Sequence, residues 1–129
     1  MSIIGLGTDI VAVDRLERLL QAHGERLAKR LLGEAEQAEY QTIVSERARV
    51  AFIARRFAAK EAAAKALGCG IGANAGFYEL SVEHNHAGAP RLALSGRALA
   101  LAEKLGVNHV HLSISDEHTH ATAVVILER

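Results

Sequence analysis

The sequence predicts an α+β fold, in which a mostly antiparallel sheet packs against one long helix. Apolar and β-branched residues open the chain over residues 3–13, an alanine-rich helical pattern runs from Ser45 to Gly68, and strand patterns dominate the second half. Strands close in sequence combined with one long helix are typical of the α+β class. The 129 residues, half of them apolar, fit a single domain over residues 1–129 without a linker, repeat or low-complexity segment.

Short helices are predicted between the first strand and the long helix, over residues 14–23, 25–32 and 34–43. Gly24 ends the first of them, because glycine is a frequent residue at helix C-termini. Ser45 caps the long helix, and Glu46 lies in its first turn, where the helix dipole favours an acid. Ser95 caps a later helix that stops at Gly106. Strands surround this helix, over residues 77–83, 91–94, 107–115 and 121–127.

The charge balance limits the classes of partner. Lys and Arg number 15, as do Asp and Glu, so the formal charge is zero and we expect no nucleic-acid binding. Arginines nevertheless concentrate in the first half, where they form either a basic surface for an anionic partner or ordinary solvated helix faces. Because Cys69 is the only cysteine and no apolar stretch has membrane length, we expect a cytoplasmic protein without a membrane partner.

Gly5, Gly7 and Asp9 alternate along the first predicted strand, so their side-chain positions share one face. The two missing side chains leave room either for close packing against a helix or for a ligand beside the carboxylate. The packing interpretation explains the glycines but not the acid that follows them.

The long helix carries charged residues where an apolar face is expected. Lys60 falls within an apolar stripe formed by Val50, Ile53, Phe57, Ala64 and Leu67. It either snorkels to solvent or is paired or ligand-bound. Glu61 and Lys65 lie along the edge of the stripe, one turn apart. Two carboxylates, Asp9 and Glu61, with Lys65 alongside, are the groups that a magnesium-assisted reaction at a phosphate requires.

Histidine offers an alternative site. Six of the seven histidines form His-x-His pairs, namely His84/His86, His109/His111 and His118/His120. On a strand each pair would share a face, which makes a transition-metal site geometrically feasible. The competing interpretation is ordinary polar surface, because the first pair flanks a turn and the others lie among polar residues.

Two segments resemble the signatures of the holo-acyl-carrier-protein synthase family, the small 4′-phosphopantetheinyl transferases. Residues 4–11, IGLGTDIV, are similar to the family's N-terminal signature, and residues 56–68, RFAAKEAAAKALG, to its second signature. Residues 70–72, residues 88–90 and the strand pair 109–126 stand where the family has comparable elements. The resemblance extends over essentially the whole chain and implies the 4′-phosphopantetheinyl transferase fold.

The resemblance implies transfer of 4′-phosphopantetheine from coenzyme A to a serine of an acidic acyl carrier protein, with release of adenosine 3′,5′-bisphosphate, in fatty acid biosynthesis. Asp9 and Glu61 would bind the cofactor Mg²⁺ at the pyrophosphate of coenzyme A. Lys65 would contact the same phosphates and stabilise or protonate the leaving group. Glu61, acting through a water on the metal, is our first candidate for the base that takes the serine proton.

The resemblance also implies wider binding surfaces. Coenzyme A would be bound by Arg56, Lys65, Gly68, Gly70, Ile71, Gly72, Pro90 and Asp116. The carrier protein would dock on Arg15, Arg26 and Arg30. Small members of the family resemble one another as homotrimers with active sites at subunit interfaces, so we expect a homotrimer.

Three positions depart from the family's pattern. Asp116 stands where many relatives have His, with His118 two residues later, so a base or coenzyme contact made by that His stays open at this position. Cys69 replaces a frequent Thr, and Ala89 replaces a frequent Lys. None of these changes touches the proposed metal pair. Two other classes stay open beside the transferase, namely a zinc protein built on the His pairs and a non-catalytic adaptor that binds an acidic partner.

Overall fold

The computed structural model describes residues 2–129 and has the α+β architecture that the sequence predicts. A short 3₁₀ helix, Phe77–Glu79, precedes the second strand. Along these residues the other elements are, in order, β1 (Ile3–Ala12), α1 (Val13–His23), α2 (Glu25–Leu31), α3 (Glu34–Gln41), α4 (Glu46–Ala66), β2 (Leu80–His84), β3 (Pro90–Leu94), α5 (Gly96–Leu105), β4 (His109–Asp116) and β5 (His120–Glu128).

The strand pairs of residues 2–129 are antiparallel. β5 lies between β1 and β4 in a three-stranded sheet, and β2 pairs with β3 in a hairpin that contacts β4 through β3. The register places Asp9 of β1 opposite Ala123 of β5. Because β4 and β5 form the predicted hairpin, the sheet topology confirms the expectation from the strand pattern of the second half.

Helix α4 lies across one face of the three-stranded sheet and is enclosed on more than one side. It contacts β1 and β5 on the sheet, and α1, α2 and β2 elsewhere. The buried positions therefore extend all around the helix instead of following the one stripe expected from the sequence. Among residues 2–129, no helix combines the length and the apolar character needed to span a membrane.

The contact between β1 and α4 depends on glycine. An added Cβ at Gly7 would lie 1.9 Å from the carbonyl oxygen of Ala62, and one at Gly5 would lie 2.0 Å from that of Ala66. The strand backbone therefore touches the helix backbone directly, as only glycine permits. The packing interpretation of these glycines is confirmed. The same contact explains the position of Asp9, which is the next residue on that face of the strand and is therefore brought beside the helix.

A buried network of charged side chains joins the short helices to α4. Glu36 of α3 lies 2.6 Å from Lys60 through Oε1 and 3.2 Å from Arg56 Nε through Oε2. It also accepts hydrogen bonds from the backbone N–H groups of Gly33 and Val82, each at 3.1 Å. All three charged side chains are almost completely buried. A buried carboxylate needs this number of donors to offset the loss of hydration.

Lys60 is paired inside the protein and does not snorkel. Its ammonium donates to Glu36, to the carbonyl oxygen of Leu31 at 2.7 Å and to that of Phe77 at 2.9 Å. These bonds use all three N–H donors. Burial lowers the pKa of Lys60, and the charge of Glu36 opposes that effect. Of the two interpretations offered by the sequence, the paired one is confirmed.

The helix caps agree with the sequence at two positions and differ at a third. The Ser45 hydroxyl accepts a hydrogen bond from the N–H of Ala48 at 3.3 Å, and Gly24 ends α1 with a φ of 56°. Ser95 precedes α5, but its side chain forms no capping hydrogen bond. The Glu79 carboxylate accepts instead from an N–H group in the first turn of α5. The strand predicted over residues 77–83 begins later than expected, because residues 77–79 form a 3₁₀ helix that brings this carboxylate to the start of α5.

We expect Gly7→Ala to lower the free energy of unfolding by about 1–3 kcal/mol, because the added methyl group forces the strand away from the helix. Gly33→Ala is the matched control, since its Cβ would have no neighbour nearer than 3.7 Å and its φ is −73°. Because Gly33 is the N-cap of α3, where glycine is preferred over alanine, that control should lose no more than about 1 kcal/mol. Urea denaturation measures both variants, and equal stabilities would contradict the close-contact account.

Candidate active site

Asp9, Glu61 and Lys65 lie together where β1 crosses α4. The Lys65 ammonium donates to Oδ1 of Asp9 and to the carbonyl oxygen of Thr8, each at 3.0 Å. Glu61 lies one helical turn before Lys65 and is close enough to Asp9 for the two charges to interact. The Asp9 side chain is 14% exposed and that of Lys65 is 51% exposed, so the cluster opens to solvent on the lysine side.

The two carboxylates are short of positive charge. Burial raises the pKa of Glu61, the charge of Asp9 raises it further, and Lys65 and Arg15 lower it. Within residues 2–129 the Glu61 carboxylate forms no ion pair and no side-chain hydrogen bond. A hard divalent cation beside Asp9 and Glu61 would relieve their repulsion, so this pair of oxygen donors fits Mg²⁺.

Asp9 and Glu61 would provide two ligands to a metal ion, and its other ligands would come from water or a bound substrate. No group of three or more His, Cys, Asp or Glu side chains in residues 2–129 is arranged to hold a metal ion. A cation at Asp9 and Glu61 would therefore keep positions for water and phosphate oxygens. Mg²⁺ is commonly bound in this way, through one or two carboxylates together with substrate phosphates.

A glycine-rich loop, residues 68–76, follows α4. The N–H of Gly68 donates to the carbonyl oxygen of Lys65 at 2.9 Å, and those of Cys69 and Gly70 donate to Ala64 at 3.2 Å. Gly68 has a φ of +80° and Gly70 one of +66°, which glycine adopts without strain. The loop therefore leaves the helix in a defined direction, within one turn of the Lys65 ammonium.

Arg56 lies inside the buried network and not in this cluster. Its guanidinium is 2% exposed, pairs with Glu39 at 3.2 Å and packs over the ring of Phe52, with Cζ 4.2 Å from the ring centroid. Its Nε faces Glu36 at ion-pair distance without hydrogen-bond geometry. Burial lowers the pKa of Arg56. The network encloses the guanidinium and leaves it little exposed surface. The contact with coenzyme A expected of Arg56 stays a prediction.

Asp116 and Pro90 lie apart from the cluster of Asp9 and Glu61. Asp116 ends β4 and forms an ion pair at 3.2 Å with Arg55, in the middle of α4. Pro90 begins β3, opposite His84 in the two-stranded sheet. Their roles in coenzyme binding stay predictions. Near Asp116, His118 contacts Arg47 of α4. The sequence does not predict this pair, because the two residues lie far apart in the chain.

The predicted docking arginines are exposed on α1 and α2. Arg15 stacks on Phe57 of α4, with Cζ 5.3 Å from the ring centroid, and its charge reaches Glu61. Arg26 and Arg30 line an open depression together with His23 and Leu27. The basic surface therefore begins beside Glu61 and continues away from it along α2.

The family follows from comparison with known proteins. Residues 5–125 match the family model described as the 4′-phosphopantetheinyl transferase superfamily. The chain belongs to this superfamily. A holo-[acyl-carrier-protein] synthase of Vibrio parahaemolyticus is 48% identical over 128 residues, which cover 99% of both chains.

Solved structures of the superfamily share the fold. The holo-[acyl-carrier-protein] synthase of Neisseria meningitidis matches with a TM-score of 0.91 at 36% identity, over 99% of this chain and 100% of that one. The holo-(acyl-carrier-protein) synthase of Bacillus anthracis, in complex with CoA (3′,5′-ADP), matches with a TM-score of 0.81 at 35% identity, over 97% of this chain and 96% of that one. The fold implied by the sequence resemblance is thereby confirmed.

Three of the paired histidines contact different partners in residues 2–129. His111 lies 3.0 Å from Glu128, His120 contacts Thr119 at 2.9 Å, and His118 contacts Arg47. These contacts are ordinary surface pairings at separate places. Because the described residues offer no group of three metal ligands, the geometry favours the polar-surface interpretation over the zinc interpretation.

The outer face of the three-stranded sheet exposes apolar side chains next to the site. Ile3, Leu6 and Ile10 of β1 are 67%, 61% and 65% exposed. An open depression on the sheet takes in Ile10 together with Asp9 and Lys65. The apolar face therefore borders the cluster, in a region where large exposed patches usually mark an interaction surface.

We expect Glu61→Gln to raise the free energy of unfolding in the absence of metal at neutral pH. A carboxyl whose pKa is raised by folding is costly to ionise in the folded state, so its charge lowers stability. Added Mg²⁺ should then raise the melting temperature of wild type and not that of the variant. Glu103→Gln on α5 is the control. A metal-dependent shift of equal size in Glu61→Gln would contradict the assignment.

Proposed function

We propose that the chain transfers the 4′-phosphopantetheine arm of coenzyme A to a serine of apo-acyl carrier protein and releases adenosine 3′,5′-bisphosphate. The observation that carries this proposal is the cluster of Asp9, Glu61 and Lys65 in a member of the superfamily. The glycine-rich loop on one side of the cluster fits coenzyme A, and the exposed arginines on the other side fit an acidic carrier protein. We place the reaction in the cytoplasm and in fatty acid biosynthesis.

In the reaction the serine oxygen bonds to the phosphorus of the phosphopantetheine arm, and the pyrophosphate P–O bond breaks. The electron pair of that bond leaves with adenosine 3′,5′-bisphosphate. Such a displacement needs alignment and charge neutralisation more than covalent help from the protein. Mg²⁺ held by Asp9 and Glu61 would supply neutralisation of the pyrophosphate charge.

Lys65 serves the leaving group in this proposal. Its ammonium is half-exposed and contacts only oxygen atoms of β1, so it can turn to a phosphate oxygen once a cation at Asp9 and Glu61 compensates the Asp9 charge. A cation there stabilises the negative charge that develops as the P–O bond breaks. Glu61, which would act through a water on the bound metal, is the first candidate to accept the serine proton.

Coenzyme A occupies the loop side of the cluster in this proposal. The backbone of Gly68, Gly70, Ile71 and Gly72 begins one turn beyond Lys65, so phosphates that contact Lys65 lie beside it. Pro90 and Asp116 of the same chain lie on other elements and do not line the depression around Asp9 and Lys65.

A homotrimer accounts for both that separation and the exposed apolar face. A second copy seated on Ile3, Leu6 and Ile10 would cover this face and lie against Asp9 and Lys65. Active sites at such interfaces would combine residues of two copies, as the family resemblance implies. Sedimentation equilibrium measures the assembly, and a monomer at micromolar concentration would contradict it.

We expect Asp9→Asn and Glu61→Gln each to lower kcat/KM for transfer by about 100-fold or more, because each removes a metal-binding charge at the phosphates. Circular dichroism checks that both variants keep the fold. Glu103→Gln, which removes an acid from distant α5, should keep wild-type activity. Full transfer by either site variant would remove that residue from the metal site.

We expect Arg15→Glu to raise the KM for the acidic carrier about tenfold and to leave the KM for coenzyme A unchanged, since opposite charges guide docking. Lys104→Glu reverses an exposed charge on α5 and serves as the control. An unaltered carrier KM would exclude Arg15 from the docking surface. Salt-sensitive carrier binding by wild type with no product at all would favour the adaptor function instead.

A further inference from the structure

The far end of the glycine-rich loop is held by contacts that do not involve α4. Arg97 of α5 donates through Nη1 to the carbonyl oxygen of Ala73 at 2.8 Å. Oε1 of Glu79 accepts from the N–H of Gly76 at 2.7 Å. The two side chains also pair with each other, with Nη2 of Arg97 3.1 Å from Oε1 of Glu79. Arg97 and Glu79 therefore form a brace that grips the loop at both ends of residues 73–76.

The surrounding backbone is shaped to hold the brace. Glu79 is 4% exposed, and its Oε2 accepts from the N–H of Arg97 at 2.6 Å. An added Cβ at Gly96 would lie 2.1 Å from that oxygen, and one at Gly76 would lie 3.0 Å from the Arg97 guanidinium. The carboxylate thus depends on Gly96 for its space and on three donors for its charge, as a buried acid requires, and Gly76 leaves space for the guanidinium.

Besides the brace, the loop is held by the buried side chain of Ala75 and by a few backbone hydrogen bonds. Near α4 the N–H groups of Cys69 and Gly70 bond to Ala64, and within the loop the N–H of Gly72 bonds to the carbonyl oxygen of Ala75 at 2.9 Å. Three of its glycines have positive φ, and residues 72–74 are exposed. A glycine-rich segment without the brace would sample many conformations.

We propose that Arg97 and Glu79 are positioning residues that hold residues 68–76 in the conformation that binds coenzyme A. The inference rests on the proposed function, in which this loop receives the coenzyme, and it adds two residues of α5 and the preceding 3₁₀ helix to that function. They act through the loop. If loss of the brace leaves one loop in ten in the binding conformation, the dissociation constant for coenzyme A rises about tenfold.

Two variants break the brace by different means. Arg97→Ala removes the guanidinium, and Gly96→Ala pushes on the Glu79 carboxylate while Arg97 stays in place. Their controls lie in the last turn of the same helix and at its C-cap. Lys104→Ala removes one positive charge, and Gly106→Ala adds a Cβ at a φ of +83°, close to the +55° of Gly96. The second control matches the backbone strain of Gly96→Ala.

Calorimetric titration with coenzyme A, steady-state kinetics and hydrogen exchange of the amides of residues 69–76 form the test. Arg97→Ala and Gly96→Ala should bind coenzyme A about tenfold more weakly and exchange faster in the loop. Their kcat at saturating coenzyme and their carrier KM should match wild type. Arg97→Lys should restore part of the affinity, and both controls should behave as wild type.

Unchanged coenzyme affinity in both brace variants would overturn the inference and leave the proposed function intact. Weaker binding without faster loop exchange would overturn it as well, because Arg97 would then act on the coenzyme as a direct charge. Failure of the wild-type chain to bind coenzyme A would overturn the proposed function and this inference with it.

Discussion

The direct backbone contact between β1 and α4 is the constraint on which the site depends. At Gly5 and Gly7 the strand lies so close to the helix that any side chain would collide with a helix carbonyl. Asp9 follows on the same face and is therefore delivered to the edge of α4, where Glu61 and Lys65 lie one turn apart. The candidate site, assembled from two distant segments, is in this way fixed by the absence of two side chains.

Helix α4 serves as the common frame for both substrate sides. On its enclosed side Lys60 and Arg56 pair with Glu36 and tie α3 and α2, which carries Arg26 and Arg30, to the helix. On its open side Glu61 and Lys65 meet β1, and the loop that follows is braced from α5 by Arg97. Buried charge pairs are weak evidence for stability, but the three hydrogen bonds of the Lys60 ammonium give the enclosed side a defined geometry.

Local patterns were sufficient to predict β1, the cap at Ser45, the β4–β5 hairpin and the proximity of Glu61 to Lys65, because each depends on residues near in sequence. The partner of Lys60 was beyond such reasoning, since Glu36 lies 24 residues away on a different helix. The same holds for Glu79, which caps α5 across 18 residues in place of Ser95. The sequence also does not indicate which helix packs on Gly5 and Gly7. The packing and ligand-binding interpretations of these glycines therefore could not be separated before the fold was known.

Intact-mass spectrometry of an apo-acyl carrier protein incubated with the chain, coenzyme A and Mg²⁺ tests the transfer function most directly, with an EDTA-treated reaction in parallel. We expect the carrier to gain one phosphopantetheine mass, and to gain it only when Mg²⁺ is present. A carrier that keeps its apo mass in the complete reaction would contradict the transfer function, and modification that proceeds equally in EDTA would contradict the metal site at Asp9 and Glu61.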